Sequence, residues 1–437
     1  MGRLIISNQL TEETAEGDAA LPDEYLAILG LASHRMLWLA RPGDIVVLPT
    51  APDPDFIDYV WETLGFREDR AQLVVPPAGR QGSNLLYTDR LTDGDFQARL
   101  RALLSADPVT EVLAFFIDDD VAALLRALEL AGFVAAFTFL TAGGSELVNS
   151  KSFFRTVCLG NGVGVPYGAA FISRSAAERQ IWSLLSEGKS VIAKQDAHGG
   201  GYGNEILTTY PELTGLGAAS TVQITSRSHL ADHLAHCWER YTYGGTRAVV
   251  IEHYLPDCVP IYLELAIGAD TVQLVGYGEM RMKPVNNGLV APPPSAALPA
   301  FAQFLVAAER IGWAYQAIGY RGRASLDAIV TPDSQILFNE LNGRLGGSTH
   351  IHHLGEQVIG GDYLDDRVLV ARNRCTWDSV ATALKLLDEA SLRYDSSRRS
   401  GVLLSGDDGQ LLFVAADLPA ALTLERAAVD ALGLREA

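Results

Sequence analysis

Lys194 stands directly before a segment dense in glycine, Gln195-Asp-Ala-His-Gly-Gly-Gly-Tyr-Gly-Asn204. Glycines let backbone N–H groups close around an anion and a lysine adds a point charge, so Lys194 with Gly199, Gly200 and Gly201 could cradle phosphate. The lysine precedes the glycines and no Ser or Thr follows it, so this is not a P-loop, and an ordinary hairpin turn is the plain alternative. His198 inside the loop would either reach a terminal phosphate or pack the turn. A second set is Asp327, Glu340 and Asn342. Glu340 and Asn342 end one strand two residues apart and share a face, and a hairpin would bring Asp327 to them. Two carboxylates and an amide oxygen are hard ligands suited to Mg²⁺ on nucleotide phosphates. Solvent-facing polar residues are the alternative, but Leu337, Phe338 and Leu341 make the strand core-like, and a buried acid needs a cation. Arg344, two residues further on, would neutralise charge developing in phosphoryl transfer. Arg281 is a second arginine of this kind, with a surface ion pair as its stronger alternative.

The elements that must hold these residues are legible in outline. Apolar runs at 44–48 and 111–117 read as buried strands, and helical patterns at 55–64 and 121–130 alternate with them. That predicts a parallel α/β sheet in the first 145 residues or so. Asp118, Asp119 and Asp120 start a helix, and capping outweighs metal binding as their role. From about 150 the pattern changes to α+β. Strands are expected at 190–194, 205–208, 247–251, 261–267 and 271–279, with helices near 175–186 and 228–240. A proline-rich loop at 284–299 and a helix at 299–311 follow. Hairpins are expected about Thr331-Pro-Asp-Ser334 and about Gly406-Asp-Asp-Gly409, and helices near 376–391 and 419–432.

The formal charge is −19, and only five of the basic residues are lysines, none of them in the first 150 positions. Nonspecific binding to nucleic acid or to anionic lipid needs the opposite balance, so neither partner is expected. The four cysteines form no CxxC pair, which argues for a reducing compartment and against a disulfide framework or structural zinc. The N-terminal residues lack the apolar stretch of a signal peptide, and the run at 131–144 is too short to span a bilayer. A soluble cytoplasmic protein is the expectation. His350, His352 and His353 raise zinc, but no cysteine or fourth ligand is near; substrate contact or plain loop structure are the alternatives.

Taken in order over about 150–350, these residues resemble the ATP-grasp superfamily of carboxylate–amine ligases. Lys151 in Asn149-Ser-Lys matches the first nucleotide lysine, Lys194 the second, and 198–204 the glycine-rich phosphate loop. Ile251-Glu-His-Tyr-Leu255 matches the hinge around adenine, which implies nucleotide contacts from Glu252, His253 and Leu255. Asp327, Glu340 and Asn342 match the magnesium ligands, and Glu340-Leu-Asn-Gly-Arg344 the E-x-N-x-R signature, which makes Arg344 the phosphate stabiliser. The acid for ribose is Asp257, with Glu264 as alternative. Ser325 stands where several ligases carry arginine, so neutralisation would also draw on Arg281, Lys283 or Arg323.

The resemblance implies an α/β chain with the ATP-grasp fold, two α+β subdomains clasping ATP. The expected divisions are a pre-ATP-grasp parallel domain (1–148), a small lid subdomain (149–254), a central subdomain with the Mg²⁺ site (255–375) and a helix-hairpin-helix extension (376–437). It implies ATP and Mg²⁺ as cofactors and, by analogy, a homodimer. The layout, with Gly346-Gly-Ser-Thr-His-Ile-His-His353 and the C-terminal extension, is further similar to ATP-grasp peptide ligases of antibiotic biosynthesis. That likeness implies a carboxylic acid substrate, a guanidinoacetic acid derivative of phenylglycine, joined to the N-terminal amine of a peptide. Other carboxylate–amine or carboxylate–thiol ligases of small-molecule metabolism share the motifs, and a non-catalytic ATP-binding module would not need Arg344. The loops 198–204 and 284–299 would close as lids over the acyl phosphate.

Overall fold

The computed structural model describes residues 2–9, 23–66, 68–197 and 201–434. Its first sheet is parallel: β1 (Gly2–Ile6), β2 (Ile45–Val47), β3 (Gln72–Val74) and β4 (Val109–Ala114), in the order β3-β2-β1-β4. Ile5 and Val46 face one core, and Leu4, Ile6, Ile45 and Val47 the other. A sheet covered on both faces needs apolar residues at every position, which is why these strands read as continuous runs. After β4, the Asp118 carboxylate accepts from the Val121 N–H at 2.7 Å and starts the helix Asp119–Ala127, the capping role expected for it.

A second sheet holds β5 (Gly168–Phe171), β6 (Val191–Gln195), β7 (Asn204–Thr208), β8 (Ser220–Gln223) and β9 (Val249–His253), in the order β5-β9-β6-β7-β8. The helices Arg174–Ser186 and Arg227–Thr242 begin at serine caps, Ser173 and Ser226, and cover one face.

The largest sheet is antiparallel. It holds β10 (Val259–Ile267), β11 (Val272–Met282), β12 (Asn286–Ala291), β13 (Gly322–Val330), β14 (Ile336–Asn342), β15 (Val368–Arg372), β16 (Gly401–Gly406) and β17 (Gln410–Ala415), in the order β14-β13-β10-β11-β12-β15-β17-β16. Two expectations change here. The segment 284–299 is no loop: β12 pairs with β11 on one side and β15 on the other, and a strand bonded on both sides does not open as a lid. Its opening Asn286-Asn-Gly and the following Pro292-Pro-Pro mask a strand whose last four residues, Gly288 to Ala291, are buried. The hairpin β16–β17 continues the large sheet through β15, so the C-terminal stretch shares a layer with 255–375.

The N-terminal domain packs against this end of the large sheet. The Trp38 indole donates to the Ser405 carbonyl at 2.9 Å, and its ring meets Phe56 and Tyr59 edge-on at 6.2 and 5.9 Å. Burying side chains of this size contributes about 2–3 kcal/mol each. On the site side, the Leu345 N–H donates to the Phe115 carbonyl at 3.2 Å, tying the end of β4 to the turn after β14. Among the described residues no helix is long and apolar enough to cross a membrane.

Candidate functional site

A cleft of about 1030 Å³ opens where the three sheets meet, and Lys151, Lys194, Gly201, Glu252, Asp327, Glu340, Asn342 and Arg344 all line it. The sheets deliver these side chains by separate local rules. Ser150 caps the helix Lys151–Gly160 by accepting from the Phe153 N–H, which puts Lys151 in the first turn. Asp196, just past β6, fixes that turn: its carbonyl accepts from the Lys151 N–H at 3.1 Å and its carboxylate from the Ser152 N–H at 2.7 Å. Lys194 lies within β6, between Val250 of β9 and Asn204 of β7. Gly201 turns with φ +81° and packs so closely that an added Cβ would lie 3.1 Å from the Gly217 carbonyl oxygen.

The acid set depends on a β-bulge. In the β13–β14 ladder Ala328 pairs with Phe338, but Asp327 pairs with Glu340, because Asn339 is an extra residue. A regular ladder would put Asn339 opposite Asp327 and turn Glu340 to the other face. With the bulge, Asp327, Glu340 and Asn342 share the cleft face. The Asn342 amide N lies 3.5 Å from an Asp327 oxygen.

The charges are arranged to need a cation. Burial and the facing Glu340 carboxylate push Asp327 well above the usual carboxylate range. Burial pushes Glu340 up too, but the Lys151 ammonium at 3.0 Å and the charge of Lys194 outweigh it and hold Glu340 down at about 2. Two close carboxylates with an amide oxygen are the hard donor set that Mg²⁺ takes, so these residues fit the ion.

Arg344 donates to the Asn342 side-chain oxygen at 3.0 Å and to the Leu345 carbonyl at 3.1 Å, and its guanidinium lies over the Phe115 ring at 5.5 Å. The turn is pinned from the helical side, since the Asn149 side-chain oxygen accepts from the Gly343 N–H at 3.0 Å.

Other expected residues are placed differently. Arg281 turns away: Met280 and Met282 line the cleft, so Arg281 between them faces the opposite side and holds Glu425 at 2.8 and 3.1 Å. It is an ion-pair residue and not part of the site. His253 likewise alternates away from Glu252, and its ring stands in the field of Lys189 and Glu187 rather than lining the cleft. Leu255 and Asp257 do line it, whereas Glu264 does not: it is buried behind Ser348, which borders the cleft, and accepts from Ser348 at 2.5 Å and Thr349 at 2.9 Å. Ser325 reaches the cleft and Arg323 does not. His198, Gly199 and Gly200 lie outside the described residues. The histidines do not converge on one ion: His350 pairs with Gln410 at 2.5 Å, and His352 lies between Tyr262 at 3.0 Å and Tyr363 at 2.7 Å.

Glu252 faces the cleft with both oxygens engaged, by Arg155 at 2.6 Å and by Lys194 at 2.6 Å. Arg155 was missed in the sequence, although it follows Lys151 by four residues on one helix, the spacing that puts two side chains on a common face. Phe115 was missed as well; the carboxyl ends of strands in a parallel sheet are where ligands bind, and that signal was present in 111–117.

Comparison with known proteins agrees with this architecture. Residues 33–130 match the Pre ATP-grasp domain family. No curated protein sequence matches the chain. Among solved structures, the chain is similar to N5-carboxyaminoimidazole synthetase from Staphylococcus aureus complexed with ADP (TM-score 0.54, 13% identity, 98% of this chain and 96% of that one). It is similar also to biotin carboxylase from Campylobacter jejuni complexed with an ATP analogue (TM-score 0.57, 14% identity, 99% and 92%). A third is N5-carboxyaminoimidazole ribonucleotide synthetase from Thermus thermophilus (TM-score 0.55, 15% identity, 99% and 98%). At these identities the likeness is one of fold. The fold is the ATP-grasp fold, with a parallel pre-ATP-grasp sheet ahead of two antiparallel-rich units.

Proposed function

We propose that the protein is an ATP-dependent, ADP-forming ligase that activates a carboxylate as an acyl phosphate and joins it to an amine. The observation that carries this reading is the convergence, in one cleft, of two lysines, two carboxylates, an amide and Arg344. Each fits a role in phosphoryl transfer, the lysines and Arg344 on phosphate oxygens and the acids with the amide on a metal ion. A carboxylate is a poor electrophile until it is phosphorylated. Transfer of the terminal phosphoryl group of ATP makes it reactive, and an amine then displaces phosphate. For such steps a protein contributes positioning and charge neutralisation.

In this reading Lys151 and Lys194 hold the phosphates, Glu252, Leu255 and Asp257 border the nucleoside, and Arg344 faces the oxygens where charge grows. Asp327, Glu340 and Asn342 would hold Mg²⁺, which when bound neutralises the phosphate oxygens. Lys151 bonded to Glu340 keeps that carboxylate ionised and ready as a ligand. Arg155 keeps Glu252 and Lys194 in register. Gly199, Gly200 and His198 belong to the phosphate loop by their place in the sequence. The ADP and the ATP analogue bound in these neighbours support the nucleotide assignment.

For the acid and the amine, the layout similar to the ATP-grasp peptide ligase of pheganomycin biosynthesis supports a guanidinoacetic acid derivative of phenylglycine and the N-terminal amine of a peptide. Of the acids in the cleft, Glu146 and Asp408 already hold Arg247 and Arg35, which leaves Glu212 and Asp257 to receive a guanidinium. Hydroxylamine trapping tests the intermediate. With ATP, Mg²⁺ and the correct acid but no amine, a hydroxamate of that acid should form; no hydroxamate from any acid that supports ADP release would refute the acyl phosphate. A panel of amines and thiols then separates the peptide ligase from other carboxylate–amine or carboxylate–thiol ligases.

A further inference from the structure

On the helix-covered face of the five-stranded sheet, away from the cleft, Glu205, His233 and Cys237 bring an oxygen, a nitrogen and a sulfur within 4.8 Å of one another. Among the described residues this is the one such group. Its geometry follows from the two elements that carry it. Glu205 lies on β7 opposite Ala193 of β6, whose neighbour Lys194 faces the cleft, so alternation turns Glu205 to the other face. His233 and Cys237 are one turn apart on the helix Arg227–Thr242, so their side chains descend onto the same patch of sheet. Glu205 is 5% exposed and Cys237 3%, while the His233 ring keeps a solvent edge.

The carboxylate is preorganised. It accepts from His233 Nε2 at 2.7 Å, from Ser220 at 2.8 Å and from the Tyr241 phenol, with Arg240 at 3.5 Å.

We propose that Glu205, His233 and Cys237 form a binding site for one zinc-class divalent metal ion, separate from the nucleotide cleft. A thiolate, an imidazole and a carboxylate together are the ligand types of zinc, whereas magnesium takes oxygen alone. Three protein ligands leave a fourth position for water. Binding replaces the proton shared between His233 Nε2 and Glu205 and the Cys237 thiol proton with metal bonds, and both protons go to solvent. The ion would fasten the helix Arg227–Thr242 to the strand that leaves the glycine-rich loop. Cysteine pairs, the usual sequence mark of zinc, are lacking because this site instead joins His-x-x-x-Cys on a helix to a carboxylate 28 residues before the histidine. It does not depend on the ligase reading.

The test uses the full chain, stripped with chelator and titrated with Co²⁺ in excess Mg²⁺. A thiolate-to-cobalt absorption band should saturate at one equivalent, and Zn²⁺ should displace it. The band should vanish in Cys237→Ser, and His233→Asn should weaken Co²⁺ binding more than about 100-fold, beyond what losing an outer-shell partner does. Cys158→Ser, Cys258→Ser and Cys375→Ser should keep it. Circular dichroism and binding of an ATP analogue confirm that each variant is folded. No band in the wild type, or an equal band in folded Cys237→Ser, would overturn the assignment.

Discussion

Replacing Lys194 by alanine isolates the phosphate half of the cleft. The ammonium sits 2.6 Å from Glu252, and Arg155 holds the other oxygen of that carboxylate, also at 2.6 Å. Removing Lys194 therefore leaves Glu252 paired. The cost to folding stays at about 1–2 kcal/mol, below the roughly 3–5 kcal/mol of an uncompensated buried charge. The nucleotide loses one charge-assisted contact, about 1.5–3 kcal/mol, which corresponds to an ATP dissociation constant raised about 10–150-fold. Calorimetric titration with a non-hydrolysable ATP analogue and Mg²⁺ measures this directly, and a thermal melt controls for folding. A folded Lys194→Ala protein whose dissociation constant stays within about threefold of wild type would refute the phosphate role.

Arg344→Ala should lower kcat by about 10²–10³ with nucleotide binding nearly unchanged, as expected for a group acting where charge develops; a loss confined to binding would contradict that. Glu340→Gln removes a charged donor opposite Asp327 and should raise the Mg²⁺ concentration for half-maximal rate at least about tenfold in a magnesium titration. Arg281→Ala should leave kcat unchanged and cost about 1–2 kcal/mol in denaturant unfolding, since Glu425 is left with the longer contact to Arg372, at 3.6 Å. Burial holds His350 and His352 down at about 3 from an ordinary value of 6.5. The unfolded chain binds protons that the folded one excludes, so stability should drop as pH is lowered from 6.5 to about 3, approaching ~1.4 kcal/mol per pH unit for each histidine. Unfolding curves across that range check it, and His350→Asn should flatten the slope.

The strands that carry the site were legible because their patterns are local. Asp327, Glu340 and Asn342 sit in apolar runs bounded by a clear turn, and the lysines stand at the edges of recognisable elements. What makes the acids converge was not legible, because the bulge at Asn339 is set by pairing across two strands and leaves no mark in composition. Arg281 misled for a related reason. Its neighbours Met280 and Met282 reveal which face points to the cleft only once the sheet around β11 is assembled. β12 was hidden by the asparagines and prolines at its ends, although Gly288, Leu289 and Val290, buried and partnered on both sides, make a strand. The shared core of the N-terminal domain and the C-terminal hairpin joins residues 367 positions apart, as in the bond from Trp38 to Ser405, a separation that no local pattern records.

Product analysis of ATP turnover tests the central claim most directly. With Mg²⁺, a carboxylic acid and an amine that the protein couples, one ADP and one phosphate should appear per amide formed, and turnover with Arg344→Ala should not exceed about 1% of wild type. Release of AMP and pyrophosphate, or amide formation without ATP cleavage, would contradict it.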